Sequence, residues 1–108
     1  MSIASDVIRG HTDTIILAQL IGGDSYGYKI NRAIQEKTGG QYELKEATLY
    51  TAFRRLEQTG CITSYWGDEN TGARRRYYSI TQAGVDQYYR MVAEWKQSQE
   101  LIQQLITP

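Results

Sequence analysis

The chain has one cysteine, one histidine and one proline in 108 residues, and each scarcity closes a class of explanation. A lone thiol, Cys61, excludes an internal disulfide and a cysteine zinc cluster. At the start of an apolar strand it reads as a buried structural group. His11 lies at a helix start, where capping or exposure to solvent is its ordinary role, and no Ser/His/Asp or Cys/His set can be completed from it. The glycine pairs at 22–23 and 39–40 match no phosphate loop and serve as helix stops. The chain is therefore not expected to be an enzyme, and neither a cofactor nor a metal site is expected. No apolar run is long enough to span a bilayer, and the opening MSIASDVIRG lacks the basic start and long apolar stretch of a signal peptide. A cytoplasmic protein with no membrane partner is the expectation.

Net charge is missing too, with Lys+Arg 12 balancing Asp+Glu 12 and a pI near 6.6. Its distribution is less even. Between residues 45 and 76 the cations Lys45, Arg54, Arg55, Arg74, Arg75 and Arg76 face only Glu46, Glu57, Asp68 and Glu69, a balance of +2. That field is weak and must be focused by geometry if nucleic acid is the target.

The informative stretch runs from residue 41 to 81. Leu49, Ala52, Phe53 and Leu56 fall at i, i+3, i+4 and i+7, one apolar stripe of a helix. The other face carries Ala47, Thr51, Arg54 and Gln58, flanked by Thr48, Tyr50 and Arg55, which suits a groove. Gly60 sits where a helix end needs positive φ. CITSYW then reads as a half-buried strand, GDENTGA as a turn and RRRYYSIT as the return strand. Arg74, Arg75 and Arg76 thus stand at the base of a hairpin loop, where alternation cannot bury all three. A helix with a polar face followed by a hairpin with basic shoulders is the layout of a winged helix, whose helix enters the major groove and whose wing reaches the backbone.

The preceding segments supply the rest of such a domain. Ile3, Val7 and Ile8 share one side of a short helix over residues 3–9. A second helix has Thr12 or Asp13 as its cap and an apolar face of Ile15, Ile16, Leu17, Leu20 and Ile21. A third is capped by Asp24 or Ser25 and puts Tyr26, Ile30, Ala33 and Ile34 on one face. Gly27 lies inside it at a cost of about 1 kcal/mol against alanine, which close approach of another backbone would explain. The fold class expected is α+β, mostly α: a winged helix-turn-helix domain over residues 1–81 with a long C-terminal dimerisation helix over 82–108. That last helix starts at Thr81 and Gln82 and carries a seam of Val85, Tyr88, Val92, Trp95, Gln99, Ile102 and Ile106, widened by Leu101 and Leu105. At about 1.5 Å per residue it is too long for so small a domain to cover. A homodimer is expected, and a two-fold protein prefers a two-fold DNA site.

The runs EATLYTAFRRLEQTG and SYWGDENTGARRRYYSIT, with RGHTDTIILAQLIGGDSYGYKI before them, resemble the PadR family of bacterial transcriptional regulators. With one helix after the wing, the chain resembles the short PadR subgroup. Within that subgroup EATLYT, SYWGDE and Trp95 resemble the lactococcal multidrug-binding branch. The resemblance implies a dimeric repressor that binds an inverted-repeat operator in double-stranded DNA and releases it when an effector appears. It places Thr48, Tyr50 and Thr51 at the groove-facing start of the recognition helix, with Lys45, Arg54 and Arg55 on phosphates or guanine edges. Tyr50 has core packing open to it as a second role. Thr51 stands where many relatives have proline, so their operators do not carry over. Arg75 and Arg76 match the family's basic pair in the wing, and Arg74 is an extra cation.

The same resemblance implies a small aromatic or drug-like effector stacked near Trp95, walled by Ile8, Asp13, Tyr88, Met91, Val92 and Gln99. A seam tryptophan can equally be a dimer anchor alone. A rival of another class is a dimeric winged-helix adaptor that binds protein and no operator, which zero net charge favours and the arginines oppose.

Overall fold

The computed structural model describes residues 5–67 and 74–108. The chain runs α1 (Ser5–Arg9), α2 (Thr12–Ile21), β1 (Ser25–Tyr26), α3 (Gly27–Lys37), α4 (Glu46–Gln58), β2 (Ile62–Trp66), β3 (Arg76–Ile80) and α5 (Gln82–Ile106). The mostly helical winged-helix architecture read from the sequence is what the chain adopts.

Three apolar helix stripes and the sheet meet in one core. Ile16, Leu17 and Leu20 of α2, Ile30 and Ile34 of α3, and Leu49, Ala52, Phe53 and Leu56 of α4 close over Ile62 and Tyr78 of the sheet. Phe53 stacks on Tyr78 with ring centroids 3.8 Å apart, joining α4 to β3. Burial raises the Tyr78 phenol above its usual pKa, because the phenolate would be poorly solvated there. Cys61 is a buried free thiol at the edge of this core. The helix ends are made by glycine. After α4, Gly60 takes φ +78° and donates to Glu57 O, while Cys61 N donates to Leu56 O, the paired bonds of a Schellman stop. This turn aims β2 back across α4. Between α3 and α4 the side chain of Asn31 both donates to and accepts from the backbone of Leu44, each at 2.8 Å, and so fixes the entry to α4.

Several local expectations need correction. Asp24 and Ser25 do not cap α3, because Ser25 and Tyr26 form a third strand opposite Tyr78 and Tyr77, giving the antiparallel order β1-β3-β2. A two-residue strand has no alternation to read. Gly27 therefore opens α3 rather than interrupting it, and what crowds it is a side chain: an added Cβ would lie 2.7 Å from the Tyr50 hydroxyl. In α2 the cap is His11, with no side-chain cap bond, and Thr12 is already helical. The Thr12 hydroxyl instead donates back to Arg9 O at 3.0 Å, stapling α1 to α2. Ile15 packs at the edge of the core and Ile21 is exposed. Ile3 and most of the hairpin loop lie outside the described residues.

The start of α5 follows the sequence expectation. Thr81 caps it, its hydroxyl accepting from Gly84 N at 3.1 Å while donating to Gly60 O. Gly84 is required here, since a Cβ would come within 2.1 Å of Cys61 O. The first turns of α5 lie against α2 and β3, and Tyr88 packs at the edge of the core. Beyond Trp95 the helix leaves the domain, and the molecule reaches 60 Å along its longest axis.

Candidate nucleic-acid interface

With its apolar stripe buried, α4 presents the opposite side to solvent: Ala47, Thr48, Thr51, Arg54, Arg55 and Gln58 are all exposed. Lys45 precedes the helix in an extended conformation, and no side chain caps the first turn. Its N–H groups are left for water or an anion. Tyr50 packs at the margin of the core without leaving the surface. Its ring edge packs on Phe53 at 5.6 Å and its hydroxyl covers Gly27, yet the side chain remains partly exposed toward the wing.

Arg55 is held differently from Arg54. Asp13 of α2 accepts from both Nε, at 3.2 Å, and Nη2 of Arg55. This hydrogen-bonded pairing raises the Arg55 pKa beyond its already high ordinary value. The pair is partly exposed, so its net worth is modest. Its importance is positional: a residue expected near an effector and one expected on DNA touch each other.

The hairpin registers Ile62 with Ile80, Ser64 with Tyr78 and Trp66 with Arg76. These pairs share one face, which changes from apolar to aromatic to cationic as the strands leave the core. Arg76 donates to Ser64 Oγ at 2.8 Å and lies 3.7 Å from Glu57 of α4, while Ser64 donates to the same carboxylate at 2.7 Å. The guanidinium of Arg74 sits over the Trp66 ring and that of Arg75 over Tyr26. Between helix and wing lies an open cleft of about 680 Å³, lined by Arg54, Arg74, Arg75 and Arg76 with Tyr28, Tyr50 and Trp66. Four of the five arginines expected to touch DNA converge on this cleft. Thr48, Thr51 and Arg55 border a second hollow on the far side of α4, and Lys45 borders a third with Thr48.

On the other side of the domain, the Trp95 ring meets His11 edge-on at 4.5 Å, and Thr14 donates to the sulfur of Met91 at 3.6 Å. His11 N in turn bonds Ile8 O. Ile8, Met91 and Trp95 thus border the junction of α1, α2 and α5. Asp13, expected there too, instead turns to Arg55 of α4, Tyr88 turns toward the core and Gln99 is exposed farther along the helix. His11, Glu57 and Trp66 carry contacts that sequence reasoning did not assign. Counting the hairpin register outward from Ile62 and Ile80 would have put Trp66 opposite Arg76. No spacing signal pointed to His11.

The sequence model of the transcriptional regulator PadR-like family matches residues 16–90. A transcriptional regulator of solved structure from Clostridium thermocellum is 50% identical, with a TM-score of 0.89 over 97% of this chain and 99% of that one. A PadR family transcription regulator from Clostridium difficile is 34% identical, with a TM-score of 0.76 over 90% of this chain and 99% of that one. An uncharacterised protein from Lysinibacillus sphaericus is 43% identical over 100 residues, 93% of this chain and 92% of that protein.

Proposed function

The chain belongs to the PadR-like family of transcriptional regulators, and from that premise we propose that it is a repressor that binds an inverted-repeat operator as a homodimer. The observation that carries this reading is the cleft where Arg54 of α4 meets Arg74, Arg75 and Arg76 of the wing. In a chain of zero net charge, that convergence supplies the focused positive field that phosphate contact needs. Thr48 and Thr51 offer hydroxyls to base edges, and Lys45 and Arg54 hold the backbone on either side. Residues 82–108 act as the dimerisation helix. Two copies joined along α5 present two recognition helices to half-sites about one helical turn apart.

The effector in this reading is a planar aromatic compound stacked near Trp95, as the likeness to the multidrug-binding branch suggests. Asp13 gives it a route to the DNA face. A ligand that displaces His11 from Trp95 disturbs the first turn of α2, and with it the carboxylate that holds Arg55. The rival reading, a protein-binding adaptor, draws on Asp13 and Glu57, each of which already engages a guanidinium of this surface.

A mobility shift with the DNA upstream of the chain's own gene, repeated over a range of salt and with a planar cationic dye, separates the readings. A discrete complex that weakens steeply with salt and dissolves with dye is expected. Trp95→Ala should abolish the dye effect and leave a dimer. Absence of any complex at low salt would put the adaptor first.

A further inference from the structure

Trp66 is half exposed on the outer end of β2, at 53% of its free surface, and lies outside the core cluster. Packing does not explain so large an apolar ring there. Its surroundings do. The guanidinium carbon of Arg74 lies 5.1 Å from the ring centroid and that of Arg76 lies 5.6 Å away, both within reach of the negative face of an indole. Arg76 is also fixed by Ser64 and, through Ser64, by Glu57 of the recognition helix. A stacked guanidinium keeps the N–H donors on its edge free to point at an oxygen.

We propose that Trp66 is a positioning residue that holds the guanidinium groups of Arg74 and Arg76 in the conformation used for phosphate contact; this rests on the nucleic-acid reading above. Arginine side chains lose much rotational freedom when they dock on a phosphate, and ordering them before contact reduces that loss. The indole does this for two cations at once. It makes no base contact and adds no charge, so its effect is on affinity for any sequence.

The test measures binding to an arbitrary DNA duplex at fixed salt, for the whole chain and for Trp66→Phe and Trp66→Leu. Leucine keeps apolar bulk and removes the aromatic face. Trp66→Leu should bind about five- to tenfold more weakly, with its thermal midpoint unchanged, and Trp66→Phe should recover most of the loss. In a background carrying Arg74→Ala and Arg76→Ala, Trp66→Leu should have no further effect. Unchanged binding by Trp66→Leu, an equal loss in the arginine-free background, or a loss that phenylalanine does not restore would each overturn the proposal. A parent chain with no affinity for duplex DNA at low salt would instead overturn the nucleic-acid reading itself.

Discussion

The two longest helices teach opposite lessons. The apolar stripe of α4 is covered completely: Leu49, Ala52, Phe53 and Leu56 are each no more than 3% exposed. The stripe of α5 is bare where it leaves the domain, with Leu101 at 52%, Ile102 at 51%, Leu105 at 84% and Ile106 at 69%. A helix of 25 residues spans about 37 Å, and its contacts with the domain run only as far as Trp95, which meets His11. One helix is finished by its own domain, so its polar face is free for other work. The other has an apolar face in water, and a face of that length on a small protein marks an interaction site.

The contrast can be broken most strongly from the finished side. Phe53→Ala removes the ring stacked on Tyr78 and leaves a cavity at the junction of α4 and β3, so chemical denaturation should show a loss of about 3–5 kcal/mol. A smaller loss, below 1 kcal/mol, would show that this core is not what fixes α4. Gly84→Ala attacks the covered turn of α5. Its methyl group meets the Cys61 carbonyl, a backbone atom that cannot turn away, and a loss of about 1–3 kcal/mol is expected in the same assay. Retained stability would mean that the first turn of α5 shifts freely against β2. The last change leaves both packing surfaces alone. Arg75→Ala with Arg76→Ala should flatten the salt dependence of DNA binding by about two units of logarithmic slope, with the fold intact. An unaltered slope would remove the wing from phosphate contact.

Periodicity makes most of the fold legible in the sequence. The stripes of α2, α3 and α4 and the seam of α5 repeat often enough to rise above local noise, and Gly60 and Thr81 mark boundaries by the chemistry of helix ends. Elements set by a single tertiary contact were not legible. Ser25 and Tyr26 are strand only because Tyr77 and Tyr78 pair with them. Thr12 looked like a cap and is a staple, because the carbonyl of Arg9 was the better partner. For the candidate site, residue type was readable and partnership was not. The charge distribution and the family resemblance single out six cations, yet Asp13 on Arg55 and Glu57 near Arg76 depend on side chains separated by many residues in sequence. The face of α4 is consequently less uniformly basic than the sequence implied, with Arg54 lining the wing cleft and Arg55 tied to α2.

The most direct test of the account is the mass of the chain by sedimentation equilibrium, alone and on a duplex carrying an inverted repeat, for the parent and for Ile102→Asp with Leu105→Asp. A parental dimer is expected in both cases, two copies per duplex. The double variant should be a folded monomer with greatly weakened binding. A parental chain that stays monomeric at all concentrations, or a double variant that dimerises as before, would contradict it.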